Sequence, residues 1–309
     1  MFGRRSLILA GICGLLFSCQ SPYAIIVAGE AVPFDGKVVT FRDAAGYDAN
    51  LKTCFFDRGR ILPSNPAAGC DVAPRFRVRP VVGLSAETVA RVEKDGWDRK
   101  SLGEKITQFV VHYDVCATSQ RCFKVLHDIR GLSVHFLLDI DGTLYQTLDL
   151  QERARHAGLA NDHSIGIEIA HIGAYPPGDV SWEFCYGSPD STGRRSVQPP
   201  VDWGGPAGRY RTARGGLFEA RIHGREYEMP DYSEAQYRTL ERLFDWVARE
   251  FPRVPKKTPL TSSGDFLWEV LPPDELKTFR GFIGHHHLTK SKTDPGPAFD
   301  WARVLADRP

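Results

Sequence analysis

Two short runs constrain this chain more than any other part of it. Ile106 to Val111 reads as a buried strand that ends on His112. Ser164 to Ala170 (SIGIEIA) alternates, so Ile165, Ile167 and Ile169 share one face while Ser164, Gly166 and Glu168 share the other. An apolar strand face has to be covered by another layer. The opposite face, with one carboxylate and two small residues, suits the floor of a cleft.

The surrounding pattern extends this frame. Ser119 to Ile129 is predicted helical. Val134 to Ile140 and Thr143 to Leu148 read as strands joined by Asp141-Gly142, a strong hairpin signal. Ser233-Glu234-Ala235-Gln236 is a capping box opening a helix with apolar residues at Tyr237, Leu240, Phe244, Val247 and Phe251, stopped by Pro252. Phe279 to Ile283 reads as a last strand and Ala298 to Leu305 as a closing helix. Strands alternating with helices predict an α/β or α+β core over residues 104–309, a mixed central sheet flanked by helices. Residues 176–230, rich in Pro, Gly and Arg, read as a long insertion, a candidate lid or partner surface. Residues 23–103 hold short β-rich pieces, Lys37 to Arg42 and Arg75 to Val82, and read as an accessory region without a chemical constellation.

The amino terminus points to export. Arg4-Arg5 precede an apolar stretch from Leu7 to Phe17, the pattern of a secretory signal over residues 1–22. Leu16-Phe17-Ser18-Cys19 is similar to a bacterial lipobox in which Cys19 is acylated, although Phe17 departs from it; cleavage near Ala24 is the alternative. These readings predict a periplasmic protein or outer-membrane-anchored lipoprotein, tethered through Cys19, or otherwise a secreted one. Seven cysteines then divide unevenly. Cys13 belongs to the signal and Cys19 to the lipid, while oxidising conditions favour bridges among the rest. Cys116 with Cys122, and Cys54 with Cys70, are close enough in sequence to pair, leaving Cys185 as a free thiol. The charge balance, 39 Lys+Arg against 38 Asp+Glu, argues against a nucleic-acid partner.

Ten histidines are present, and Gly284-His285-His286-His287 is followed within a few residues by Lys292 and Asp294. A catalytic zinc wants three ligands from His, Asp, Glu or Cys and an open position. His112 at a strand end and Asp294, fixed by Pro295-Gly296, fit that need. A solvated His-rich loop fits the spacing equally well.

Five blocks, in order, carry a resemblance: Gln108 to Tyr113; Ser133-Val134-His135-Phe136-Leu137-Leu138 with Asp141-Gly142; Ala154-Arg155-His156-Ala157-Gly158; Asn161 to Glu168; and Lys292-Thr293-Asp294-Pro295-Gly296-Pro297-Ala298-Phe299-Asp300-Trp301. Together they resemble the zinc-dependent N-acetylmuramoyl-L-alanine amidases of the type-2 family, whose fold is shared by phage lysozyme-type amidases and peptidoglycan recognition proteins. The resemblance implies a Zn2+ held by His112, His285 and Asp294, with Glu168 as acid/base and Lys292 as transition-state stabiliser. It places His156 and Asn161 along the substrate groove, implies a peptidoglycan or muropeptide substrate, and implies a disulfide between Cys116 and Cys122. His285 follows Gly284 as the family pattern requires, with His286 one residue away as the competing ligand. A metal of this kind activates water and polarises an amide carbonyl, which suits hydrolysis of the bond between N-acetylmuramic acid and L-alanine.

The chain departs from the family in places. Tyrosine often stands at Val134 and cysteine at Asp294, so this chain follows the branch with Asp as third ligand and Glu as base. Arg155 replaces the aromatic often found before His-Ala-Gly. His135 reads as a core or ligand-supporting histidine, and His127, His163, His171 and His223 as ordinary polar positions. The competing functions are a non-catalytic peptidoglycan-binding module of the same fold and a metal-storing envelope protein.

Overall fold

The computed structural model describes residues 22–56 and 75–308; residues 1–21 of the expected signal, with Cys13 and Cys19, and Cys70 lie outside them. Its centre is a six-stranded sheet, labelled here in chain order: β1 (Val38–Thr40), β2 (Gln108–Tyr113), β3 (Phe136–Leu138), β4 (Leu144–Gln146), β5 (Ser164–Ile169) and β6 (Gly281–Gly284). The spatial order is β6-β2-β5-β3-β4-β1. Neighbours are parallel except β3 and β4, which form the antiparallel hairpin that Asp141-Gly142 foretold. This is the expected mixed sheet.

Alternation along the strands decides what covers each face. Phe109, Val111, Ile165, Ile167, Ile169 and Phe282 are all buried in one apolar cluster with Tyr237, Leu240, Phe244 and Val247 of the helix Glu234–Glu250 and with Phe251 just after it. That helix begins as its sequence dictates. The Ser233 hydroxyl accepts from Gln236 N, and the Gln236 side chain accepts from Ser233 N. Phe244 stacks on Phe282 with ring centroids 4.1 Å apart. The other face carries Gln108, His112, Ser164 and Glu168.

The segment read as accessory is built into this body. β1 supplies an edge of the central sheet, and Ile25, Val27, Val32 and Phe34 belong to the main apolar cluster. The Gln146 carboxamide both donates to Ile26 O and accepts from Ile26 N. Two arginines from the same segment are fully buried: Arg79 donates to the carbonyls of Leu150, Asn161 and Ser164, and Arg75 to those of His127 and Leu51.

Three further readings change. The predicted helix at 119–129 is a short α-turn, Ser119–Phe123, continuing as a π-helix over Lys124–Arg130. The stretch 176–230 includes a β-hairpin, Leu217–Ile222 with Arg225–Pro230, whose polar strands hid it from any hydrophobic pattern. Its remainder packs Trp182, Tyr186 and Val197 against Ala170 and Ile172, just past β5. Finally, Cys116 and Cys122 are not bridged. Both are free thiols, buried in a small apolar cluster, with the Cys122 thiol hydrogen-bonded to Cys116. Cys185 is also free and buried, as expected. Cys54 is disulfide-bonded. Among the described residues no helix is long and apolar enough to cross a membrane.

Candidate metal centre and active-site cleft

Parallel strands place their carboxyl ends together, and ligands gather at such ends. β2 ends at His112 and Tyr113, β6 ends at Gly284 just before His285, and Glu168 lies opposite His112 in the β2–β5 register. A cleft of about 380 Å³ opens there, lined by His112, His285, Asp294, Glu168, Lys292 and His156 among others.

Three side chains converge tightly. His112 Nδ1 lies 2.9 Å from His285 Nδ1 and 2.9 Å from Asp294 Oδ2, and His285 Nδ1 lies 3.0 Å from the same oxygen. Among the described residues this is the only group of three or more His, Cys, Asp or Glu side chains arranged to hold a metal ion. Its electrostatics suit a cation. Burial, with His285 beside it, pushes the His112 imidazole down to about 4 and keeps its lone pair free, against the pull of Asp294. Burial raises the Asp294 carboxyl, but His285 and His112 outweigh that and hold it well below the usual range. Tetrahedral ligands at about 2.0–2.2 Å from zinc sit roughly 3.3–3.6 Å from one another, a few tenths of an ångström wider than this triangle. The donor set fits.

The loop is held by the rest of the His triplet. His286 takes no place among the ligand atoms. Its backbone N–H lies 3.1 Å, and its Nδ1 3.0 Å, from the Asp294 carbonyl. His287 Nδ1 accepts from Gly284 N at 2.9 Å, and its Nε2 lies 2.9 Å from Leu267 O. Gly284 has to be glycine, since a Cβ would come within 2.6 Å of the His286 ring and 2.7 Å of Pro295. His286 and His287 therefore fix the backbone that aims His285 and Asp294.

A family model described as N-acetylmuramoyl-L-alanine amidase matches residues 102–297. The chain belongs to this family. It is a hydrolase of the amide bond between N-acetylmuramic acid and L-alanine. No curated protein sequence matches the amidase significantly. Among solved structures, the selenomethionine derivative of AmpD is 18% identical over 76% of this chain and 92% of its own, with a TM-score of 0.35. AmiD from E. coli, in complex with anhydro-N-acetylmuramic acid-L-Ala-D-γ-Glu-L-Lys, is 18% identical over 65% of this chain and 56% of its own, with a TM-score of 0.38. The endolysin LysCS from Clostridium intestinale is 12% identical over 66% of this chain and 83% of its own, with a TM-score of 0.34.

The remaining expected residues of the amidase fall in different places. Glu168 lines the cleft, and its carboxyl has no hydrogen-bond partner among the described residues. Burial, reinforced by Asp294, Asp114 and Cys116, pushes it well above the usual range, opposed by Lys292. The Lys292 ammonium also faces the cleft without a partner among the described residues, while its carbonyl lies 3.1 Å from His223 Nε2. His156 lines the cleft and also backs the metal centre, with its Nδ1 3.0 Å from His112 Nε2. Gly166 makes room for that ring, because a Cβ there would lie 2.4 Å from it. Asn161, expected along the groove, is not among the cleft-lining residues. Its carboxamide oxygen accepts from His156 N and Ala157 N, so it shapes the turn that presents His156.

Asp114 is a cleft residue that sequence reasoning missed. Its Oδ1 accepts backbone N–H groups from Cys116, Ala117 and His171, and Oδ2 is buried without a partner. Burial pushes the carboxyl up to about 8 against the pull of those three donors. An acidic residue directly after the His-Tyr pair was the available signal. His127 and His171, read as ordinary polar positions, are instead buried. His127 Nδ1 lies 2.6 Å from Asp128, and His171 Nε2 lies 3.0 Å from Pro230 O.

Proposed function

We propose that the chain is a zinc amidase of exported cell-wall chemistry, cleaving peptidoglycan or muropeptides between the lactyl group of N-acetylmuramic acid and L-alanine. The convergence of His112, His285 and Asp294 within 4.8 Å, beside a partnerless Glu168, carries this reading. His112, His285 and Asp294 would hold the ion, which would supply a Lewis acid to polarise the amide carbonyl and activate water. The Glu168 carboxylate takes the proton of the attacking water and returns it to the departing amine. Lys292 offers positive charge where the oxyanion develops. His156 orients His112 through its far nitrogen, as partners of metal-bound imidazoles commonly do.

The unpartnered state of Glu168 favours an enzyme over a binding-only module. A carboxylate kept free and partly buried costs stability unless something else uses it. Mass spectrometry of products from a sacculus or muropeptide digest, with and without chelator, tests the proposal. We expect stem peptides with a free L-alanine amine, and their loss on chelation. Turnover that survives complete removal of metal would overturn the zinc assignment. No release of stem peptide at all would overturn the substrate.

Arg4-Arg5 and the apolar run from Leu7 to Phe17 support export, with a lipid tether at Cys19. Palmitate incorporation that persists in Cys19→Ala would rule out that tether.

A further inference from the structure

Most guanidinium groups that touch the interior of this chain are engaged. Arg79 and Arg75 hold carbonyls, Arg153 pairs with Asp162, Arg214 with Asp231, and Arg303 with Glu234 and Glu241. Arg130 and Arg155 differ. Both line the catalytic cleft, and neither has a hydrogen-bond, ion-pair or ring partner among the described residues.

Their backbones bring them to one wall. Arg130 is the last residue of the π-helix, released by Gly131 in the left-handed region (φ 61°). Three residues on, Ser133 Oγ accepts from Arg155 N at 3.0 Å, and Ser133 N donates to Arg155 O at 3.4 Å. Arg155 precedes His156, which touches His112, so this wall begins within one side chain of the metal centre.

None of the cleft's acids is paired with them. Asp294 is taken by two histidines and Asp114 Oδ1 by three backbone donors, and the positive charge that acts on Glu168 is Lys292, not either arginine. Two like charges on one wall repel, and an anion bound between them removes that cost while making charge-assisted hydrogen bonds. The substrate class supplies such an anion. In a muropeptide of the type N-acetylmuramic acid-L-Ala-D-γ-Glu-L-Lys, the γ-linkage leaves the glutamate α-carboxylate free, one residue beyond the amide that is cut. The chain end adds a second carboxylate. Two residues of extended chain reach roughly 7 Å, the scale of a cleft wall.

We propose that Arg130 and Arg155 form a carboxylate subsite for the stem peptide, and that this subsite makes the enzyme prefer acidic over amidated stems. The proposal rests on the amidase reading and adds the recognition of the leaving peptide.

Three substrates test it: N-acetylmuramic acid-L-Ala-D-γ-Glu-L-Lys, its glutamate α-amide and its carboxy-terminal amide. Amidation at the recognised carboxylate should raise KM about ten- to hundredfold, the loss of a charge-assisted hydrogen bond. The other amide should behave like the free acid. In Arg155→Gln and Arg130→Gln the KM for the free acid should rise toward that of the sensitive amide, with kcat and the KM for that amide little changed. Thermal unfolding of each variant checks folding, and Arg155→Lys should restore part of the preference.

Equal KM for all three substrates in the wild-type chain overturns the subsite. So does a rise in KM that is the same for acid and amides in both variants. No cleavage of any substrate instead overturns the amidase reading. Calorimetric binding of the same three peptides then judges the subsite, and equal affinities for all three refute it.

Discussion

On one face of the central sheet, Phe109, Val111, Ile165, Ile167 and Phe282 meet Leu240, Phe244 and Val247 of the long helix. On the other, two of these strands, β2 and β5, carry Gln108, His112, Ser164 and Glu168. Packing on the apolar side is non-directional, so shape and volume are its main requirements. The polar side needs a specific partner for nearly every group. Gln108 is tied to the carbonyls of Leu276 and Phe279, Ser164 Oγ lies 3.3 Å from His156 Nε2, and His112 is ringed by His285, Asp294 and His156. Gln108 Oε1 has no partner, and Glu168 alone of these makes no side-chain hydrogen bond at all among the described residues. One face stabilises the fold, and the other presents a reactive group held ready by its neighbours.

Exchanging a single residue on each face should separate the two roles. Glu168→Gln keeps the shape and removes the base, so kcat should fall by about 10²–10⁴ while one zinc per chain is retained and thermal stability does not drop. Activity within a fewfold of wild type would break the comparison. Phe244→Ala acts on the opposite face, where the ring is fully buried between Phe109 and Phe282. Chemical denaturation should show a loss of about 3–5 kcal/mol, with kcat per folded molecule nearly unchanged. A large loss of kcat in a still-folded Phe244→Ala would show that the faces are coupled.

The apolar face was the more legible of the two. Alternation in SIGIEIA separated Ile165, Ile167 and Ile169 from Glu168, and the capping box marked where the covering helix begins. Both signals are local, carried by residues within a few positions of one another. The polar face was legible mainly through blocks that resemble a known family. What neither source held was contact between distant segments. Arg79 joins Ser164 across 85 positions, β1 pairs with β4, and His223 reaches the Lys292 carbonyl from a hairpin whose strands are too polar to show a pattern. Asn161 shows a different limit: its block was recognisable, yet its carboxamide oxygen accepts from His156 N and Ala157 N, a local role that a matching block does not specify.

Acid should act on the polar side through His135, a smaller effect than either substitution above. Its Nδ1 accepts from Gly166 N, and its Nε2 lies 3.1 Å from Glu152 O and 3.0 Å from Arg79 Nη2, so the proton that charges the ring would displace the Gly166 bond and face the guanidinium charge. Burial, reinforced by the Arg79 charge, pushes this imidazole down to about 3, against roughly 6.5 in an unfolded chain. Between those values the unfolded chain binds a proton that the folded chain does not, so stability must rise with pH there. The contribution is complete above about pH 6.5 and is lost as pH falls toward 3, at up to about 1.4 kcal/mol per pH unit. His135→Asn removes the titrating group, so in metal-free protein the change of the urea midpoint between pH 6.5 and 5 should correspond to about one proton fewer than in wild type. His112, His156 and His171, also depressed mainly by burial, keep a residual slope in both proteins. An unchanged slope in His135→Asn would mean that the Arg79–His135 layer opens before it protonates, which would place the polar side among the first parts of the sheet to yield.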